Sequence, residues 1–136
     1  MIKIVIILSV MLITEWKEPL DVGIVYNTSV ATYSGWLSAY DIEPSEATYE
    51  YRISTGDIEA GYDVYLAVGD CSRISETGTI RYNNGETERY QVFDCAKRDN
   101  SDNTQTWMET HNIVAELDYE GWQRHPKLGR ATLIPD

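Results

Sequence analysis

From Val22 onward the apolar positions fall in short runs rich in Val, Ile, Tyr and Thr, each bounded by turn-forming residues. Such runs are strand patterning, because β-branched and aromatic side chains suit a pleated backbone whose successive residues alternate between two faces. The pattern predicts strands at Gly23 to Tyr26, Val30 to Tyr33, Tyr49 to Ile53, Val64 to Val68, Thr79 to Tyr82, Arg89 to Phe93 and Ile113 to Leu117. Asn83-Asn84-Gly85 separates two of them and marks a hairpin, since Asn and Gly accept the positive φ that tight turns require. One short helix is predicted at Tyr119 to Arg124, with Asp118 capping its free N–H groups and Pro126 ending it. The polar stretch Lys97 to Gln105 reads as an exposed loop, and Lys127 to Asp136 as a tail without a pattern of its own. Neither a repeat of solenoid length nor a low-complexity tract interrupts this order. Predicted strands with one terminal helix fit a small sandwich or a closed barrel, and pattern alone does not choose between them.

The N-terminus follows a different pattern. Met1-Ile2-Lys3 precedes an apolar run from Ile4 to Ile13, broken by Ser9 and followed by Thr14-Glu15-Trp16-Lys17. A positive start before a hydrophobic run too short to span a bilayer comfortably reads as a secretory leader. No small-x-small cleavage site follows it, so an uncleaved anchor or a strand of the fold, including one donated in assembly, stays open. The chain is therefore expected to divide into a leader, anchor or assembly strand at 1–21, a barrel domain at 22–126 and a tail at 127–136. Cys71 and Cys95 are the two cysteines, which leaves one intramolecular pairing, and export makes that disulfide expected. Closing so short a loop contributes about 3 kcal/mol on the chain-entropy model. Asn27-Thr28-Ser29 fits a glycosylation acceptor, with meaning only in an organism that glycosylates exported chains.

Composition narrows the function classes. With 136 residues, 43% hydrophobic and 24% charged, the chain has enough apolar material for a real core and lies far from the signature of disorder. The 11 basic against 22 acidic side chains give a net charge of -11, a field that repels phosphate backbones, so nucleic acid is not an expected partner. Ten Tyr and four Trp against one Phe form an amphipathic aromatic set suited to half-wet rims and contact surfaces. His111 and His125 lie at no ligand spacing from each other or from the cysteines, so no metal is expected. No nucleophile elbow, phosphate-cradling loop, dinucleotide fingerprint or calcium loop occurs, and no cofactor is expected.

A resemblance selects among the folds. Ala31-Thr32-Tyr33-Ser34-Gly35 resembles the opening strand, and Tyr65-Leu66-Ala67-Val68 a following strand, of the double-psi β-barrels of the rare lipoprotein A, barwin and expansin superfamily. Ile74, Gly78-Thr79-Ile80, the Asn84-Gly85 turn and Val92-Phe93-Asp94-Cys95 are similar to the elements around that barrel's central strands. Glu116-Leu117-Asp118-Tyr119-Glu120-Gly121-Trp122 resembles the closing segment, with Glu116 at its acidic position and Asp118 at its helix cap. The likeness spans roughly 90 residues and rests on the order of the pieces rather than on any one of them. It implies an all-β fold: a small six- to seven-stranded double-psi-like barrel with one short C-terminal helix. The chain departs from the rare lipoprotein A branch at Asp94-Cys95-Ala96-Lys97, where that branch has Asp-Arg-Gly-Pro, and in the insertion Arg98 to Thr106.

The resemblance also implies a site. Asp94 and Glu116 would end neighbouring central strands and face one groove, where like charges raise one pKa and leave an acid able to protonate a glycosidic oxygen. A lytic transglycosylase needs one such acid, whereas hydrolysis needs a pair. Apart from the resemblance, the aromatic character and expected loop position of Tyr33, Trp36 and Trp107 suggest flat faces for sugar rings. The structural alternative has Asp94 holding loop backbone and Glu116 paired with Arg89 or Arg124. Two functions follow as expectations: an exported envelope or extracellular barrel that binds a polysaccharide such as peptidoglycan, or a surface protein, with weak cleavage at most; or a non-catalytic, self-assembling subunit of a surface filament or virus particle.

Overall fold

The computed structural model describes residues 31–96 and 103–136. The expected leader at 1–21, the strand Gly23 to Tyr26, the acceptor at Asn27 and the first part of the polar stretch after Ala96 lie outside the described residues.

Six strands form a closed barrel. They are β1 (Tyr33–Ala39), β2 (Val64–Val68), β3 (Thr77–Tyr82), β4 (Thr87–Cys95), β5 (Ile113–Leu117) and β6 (Arg130–Pro135). Around the ring they run β1, β5, β2, β4, β3, β6, and β6 returns to β1. Two contacts, β1 with β5 and β2 with β4, are parallel, and the other four are antiparallel. Among the described residues three α-helices decorate the barrel: α1 (Ile42–Thr55), α2 (Asn103–Thr110) and α3 (Tyr119–Arg124).

Alternation along the strands explains the two hydrophobic clusters. Val64, Leu66 and Val68 of β2 point into the barrel with Tyr90 and Val92 of β4, Leu117 of β5 and Leu133 of β6, all of them fully buried. The alternate residues Tyr65 and Ala67 face outward and pack with Ile58 and Phe93, against which Tyr40 and Tyr49 lie. A strand buried on both faces reads as a continuous apolar run, and β2 is the run Val64-Tyr65-Leu66-Ala67-Val68.

Several expected elements are present as drawn. The hairpin at Asn83-Asn84-Gly85 joins β3 to β4, with Gly85 at φ 92° and the Asn84 side chain accepting from the Glu86 N–H at 2.9 Å. Asp118 caps α3 by accepting from the Gly121 N–H at 3.1 Å. Cys71, in a single 3₁₀ turn after β2, is bonded to Cys95 at the end of β4. Val68 pairs with Cys95 across the parallel ladder, so the bridge pins the ends of two neighbouring strands.

Four expectations need correction. Tyr49 to Ile53 is not a strand but lies within α1. The alternation of Tyr49, Tyr51 and Ile53 misleads because the face turned to the barrel carries Ser45, Thr48, Tyr49 and Arg52, while Tyr51 and Ile53 point to water. Helix geometry is set instead by Pro44 in the first turn and by Gly56 in the left-handed conformation, with Gly56 N–H bonded to Ile53 O and Asp57 N–H to Arg52 O. The first barrel strand runs Tyr33–Ala39 rather than Val30 to Tyr33. Its Gly35 and two serines break the apolar pattern, yet Gly35 is required, because a Cβ there would meet Asn112 O at 2.5 Å. Finally, 127–136 is no tail: β6 lies between β1 and β3 and closes the ring. Part of the polar stretch before Gln105 is likewise helical, as the start of α2.

Candidate functional site

Register places the two carboxylates singled out in the sequence. Ser38 of β1 pairs with Glu116 of β5, Glu116 pairs with Ala67 of β2, and Ala67 pairs with Asp94 of β4. These four residues form one row across four adjacent strands, and residues of one row share a face. Asp94 and Glu116 thus stand two strand spacings apart, roughly 10 Å between Cα atoms. Ala67 lies between them, buried in the outer cluster with Phe93 and Tyr65. The row depends on a register shift between Leu66 and Ala67, which leaves Phe93 as an extra residue opposite the pair. A bulge re-aims the side chains that follow it, and here it brings Asp94 onto the outer face beside Phe93.

The two carboxylates have different surroundings. Asp94 is 3% exposed, accepts a hydrogen bond from the Tyr40 hydroxyl and lies 3.8 Å from an Arg52 guanidinium nitrogen. Arg52 is itself aimed by donating to Phe93 O at 3.0 Å and to Asp57 at 2.9 Å. Glu116 is half-buried, and among the described residues its carboxyl takes part in no hydrogen bond or ion pair. Burial, then the negative charges of Asp41 and Asp94, push its pKa up to about 6. The bridges expected for Glu116 are absent, because Arg89 is held by Asp136 at 2.6 Å and Arg124 by Glu88 at 3.0 Å. Chemically the pair is unequal: Asp94 is enclosed, and Glu116 keeps its proton to a higher pH than an ordinary carboxyl, up to about 6.

The three aromatic residues do not form one platform. Tyr33 pairs with Leu133, a barrel-core residue, and so sits on the inward face at the rim, with the Arg73 guanidinium 3.7 Å above its ring. Trp36 is on the opposite face of β1, 47% exposed, with Arg130 at 5.3 Å. It shares the outward face with Ser38, two residues along, and so flanks Glu116 at roughly 8 Å between Cα atoms. Trp107 belongs to α2, is 44% exposed and stacks on His111 at 4.7 Å.

Tyr40, Arg52 and Asp41 belong to the site but carry no local sequence signal. They reach it because the chain leaves β1 at Tyr40, enters α1 at Asp41 and lays that helix over β2 and β4. Among the described residues no group of His, Cys, Asp and Glu could hold a metal ion, and no helix is long and apolar enough to cross a membrane. The disulfide is compatible with an exported protein. The chain matches no protein-family model, no curated protein and no solved structure.

Proposed function

We propose that the chain is an exported barrel of the double-psi type that binds a polysaccharide on its outer face, with Trp36 as the stacking surface and Glu116 as a proton donor. The observation that carries this reading is the row itself: a half-buried Glu116 without a partner among the described residues, set beside an exposed Trp36 on the same face. Carbohydrate sites combine an aromatic face with a few polar groups, and a carboxyl that keeps its proton near pH 6 can donate it to a leaving oxygen. The burial of Asp94 favours the one-acid route of a lytic transglycosylase over hydrolysis, because hydrolysis through water needs a second accessible carboxylate. In that route the Glu116 proton passes to the glycosidic oxygen, the bond from C1 to that oxygen breaks, and a hydroxyl of the same sugar closes on C1 while giving its proton back to the Glu116 carboxylate. The charge of -11 favours neutral stretches of glycan over anionic polymers.

For the alternative, a self-assembling structural subunit, assembly by strand donation would find no vacant edge in the described ring, since each of its six strands already has two neighbours. Incubation of the wild type, Glu116→Gln and Trp36→Ala with peptidoglycan is expected to release soluble fragments from the wild type alone, falling off as pH rises through about 6. Trp36→Ala is expected to sediment less with the insoluble glycan. Equal absence of fragments from wild type and Glu116→Gln removes the cleavage step, and equal sedimentation of wild type and Trp36→Ala removes the glycan site.

A further inference from the structure

A second cleft, sharing no residue with the row of Glu116, opens between α1, α3 and the loop entering β2, with a volume of about 480 Å³. Four tyrosines line it: Tyr49 from α1, Tyr62 and Tyr65 from the loop and β2, and Tyr119 from α3. Tyr65 is the centre of the group. The Tyr49 ring stands 4.9 Å from it at 71°, and the Tyr62 ring 6.1 Å from it at 78°, so two walls rise at near right angles to a third. Glu46, Glu50 and Glu120 are exposed at the mouth, and neither Lys nor Arg lines the cleft.

The polar groups deeper in the cleft are already engaged. The Tyr65 hydroxyl donates to Glu59 O at 2.6 Å and accepts from the Tyr62 N–H at 3.3 Å. Ser45 Oγ accepts from the Tyr119 N–H at 3.2 Å, and Asp118 Oδ1 from the Gly121 N–H at 3.1 Å. What the walls still offer is the part-exposed rings of Tyr49, Tyr62 and Tyr119, with the Asp118 carboxylate inside, held by the Gly121 N–H, and the other carboxylates around the entrance. A primary ammonium asks for three oriented acceptors, whereas a quaternary ammonium asks for ring faces and a negative field. The volume fits a small molecule rather than a polymer segment.

We propose that this tyrosine-walled cleft binds a small quaternary ammonium compound, its head group held by cation–π contact with the part-exposed Tyr49 and Tyr62, over the buried Tyr65, and drawn in by the acidic rim. The inference is independent of the glycan site, since it uses neither Glu116 nor Trp36.

The test is an NMR titration of the full chain with choline, with its neutral isostere 3,3-dimethylbutan-1-ol and with butylammonium. Choline is expected to give saturable shifts centred on residues 49, 62, 65 and 119, with the isostere and butylammonium each about tenfold weaker. Tyr62→Ala should lose the response, and Tyr62→Phe, which keeps the ring, should retain it. Equal binding of the isostere reduces the cleft to an apolar hole, and tighter binding of butylammonium makes it a carboxylate site; either overturns the proposal. So does the absence of saturable shifts, an unaltered response in Tyr62→Ala, or binding to phosphatidylcholine vesicles without binding to free choline. Should Tyr62→Ala fail to fold, the ligand comparison on the wild type still decides.

Discussion

Glu116 and Asp94 occupy equivalent places on either side of Ala67, and what separates them is the company each keeps. Asp94 meets a phenol and a guanidinium, while Glu116 meets the carboxylates of Asp41 and Asp94. Because its folded pKa is raised above the ordinary 4.5 to about 6, the folded state binds more protons than the unfolded state between those values. Its contribution to stability is therefore fully present below the unfolded pKa and is lost as pH rises through about 6. Glu116→Gln should leave the melting temperature unchanged near pH 4 and raise it at pH 7, by an amount on the order of a few degrees. Thermal melts across that range check this, and a variant that loses stability at pH 7 contradicts it. Both acids could be picked out in the sequence, but that one is enclosed and the other open could not. That difference depends on Tyr40 and Arg52, whose approach is set by the crossing of α1 over the barrel.

At the scale of elements, what was legible was whatever a local rule writes into neighbouring residues. Strands β2 and β5 could be read to their last residue, as could the capped helix α3 and the hairpin between β3 and β4. Helix α1 and strand β6 could not. The barrel-facing stripe of α1 is polar and aromatic, because it serves a salt bridge to Asp94 and a hydroxyl contact to Tyr40 rather than a dry core. In β6 only Ala131 and Leu133 are buried, two inward residues among six, which is too short an alternation to stand out. Its packing is nonetheless close. A Cβ on Gly78 of β3 would come within 2.4 Å of Ile134 O and 2.8 Å of the Tyr90 hydroxyl. Gly78→Ala should therefore destabilise the fold by roughly 2 kcal/mol, through forced separation of β3 and β6. Urea unfolding checks it; a neutral result means that the two strands can part without cost.

For the molecule as a whole, the barrel joins strands that lie far apart in sequence, and the fold class was readable where the strand order was not. Periodicity states which residues face inward, but the order β1, β5, β2, β4, β3, β6 rests on pairings between distant segments, which no local pattern records. A chain with so many distant pairings loses much entropy on closing, and this is where the Cys71–Cys95 bond acts. It ties the ends of β2 and β4 across 24 residues that contain all of β3. Replacing both cysteines by serine should cost about 3 kcal/mol and lower the melting temperature by more than about 10 °C. Differential scanning calorimetry of the two forms tests that; a shift of a degree or two would mean that the unfolded chain is already compact without the bond. The keystone position of β6 has a practical corollary. Loss of the chain after Gly129 would not trim a loose end but would bare the flanks of β1 and β3, turning a sealed barrel into one with two adhesive rims.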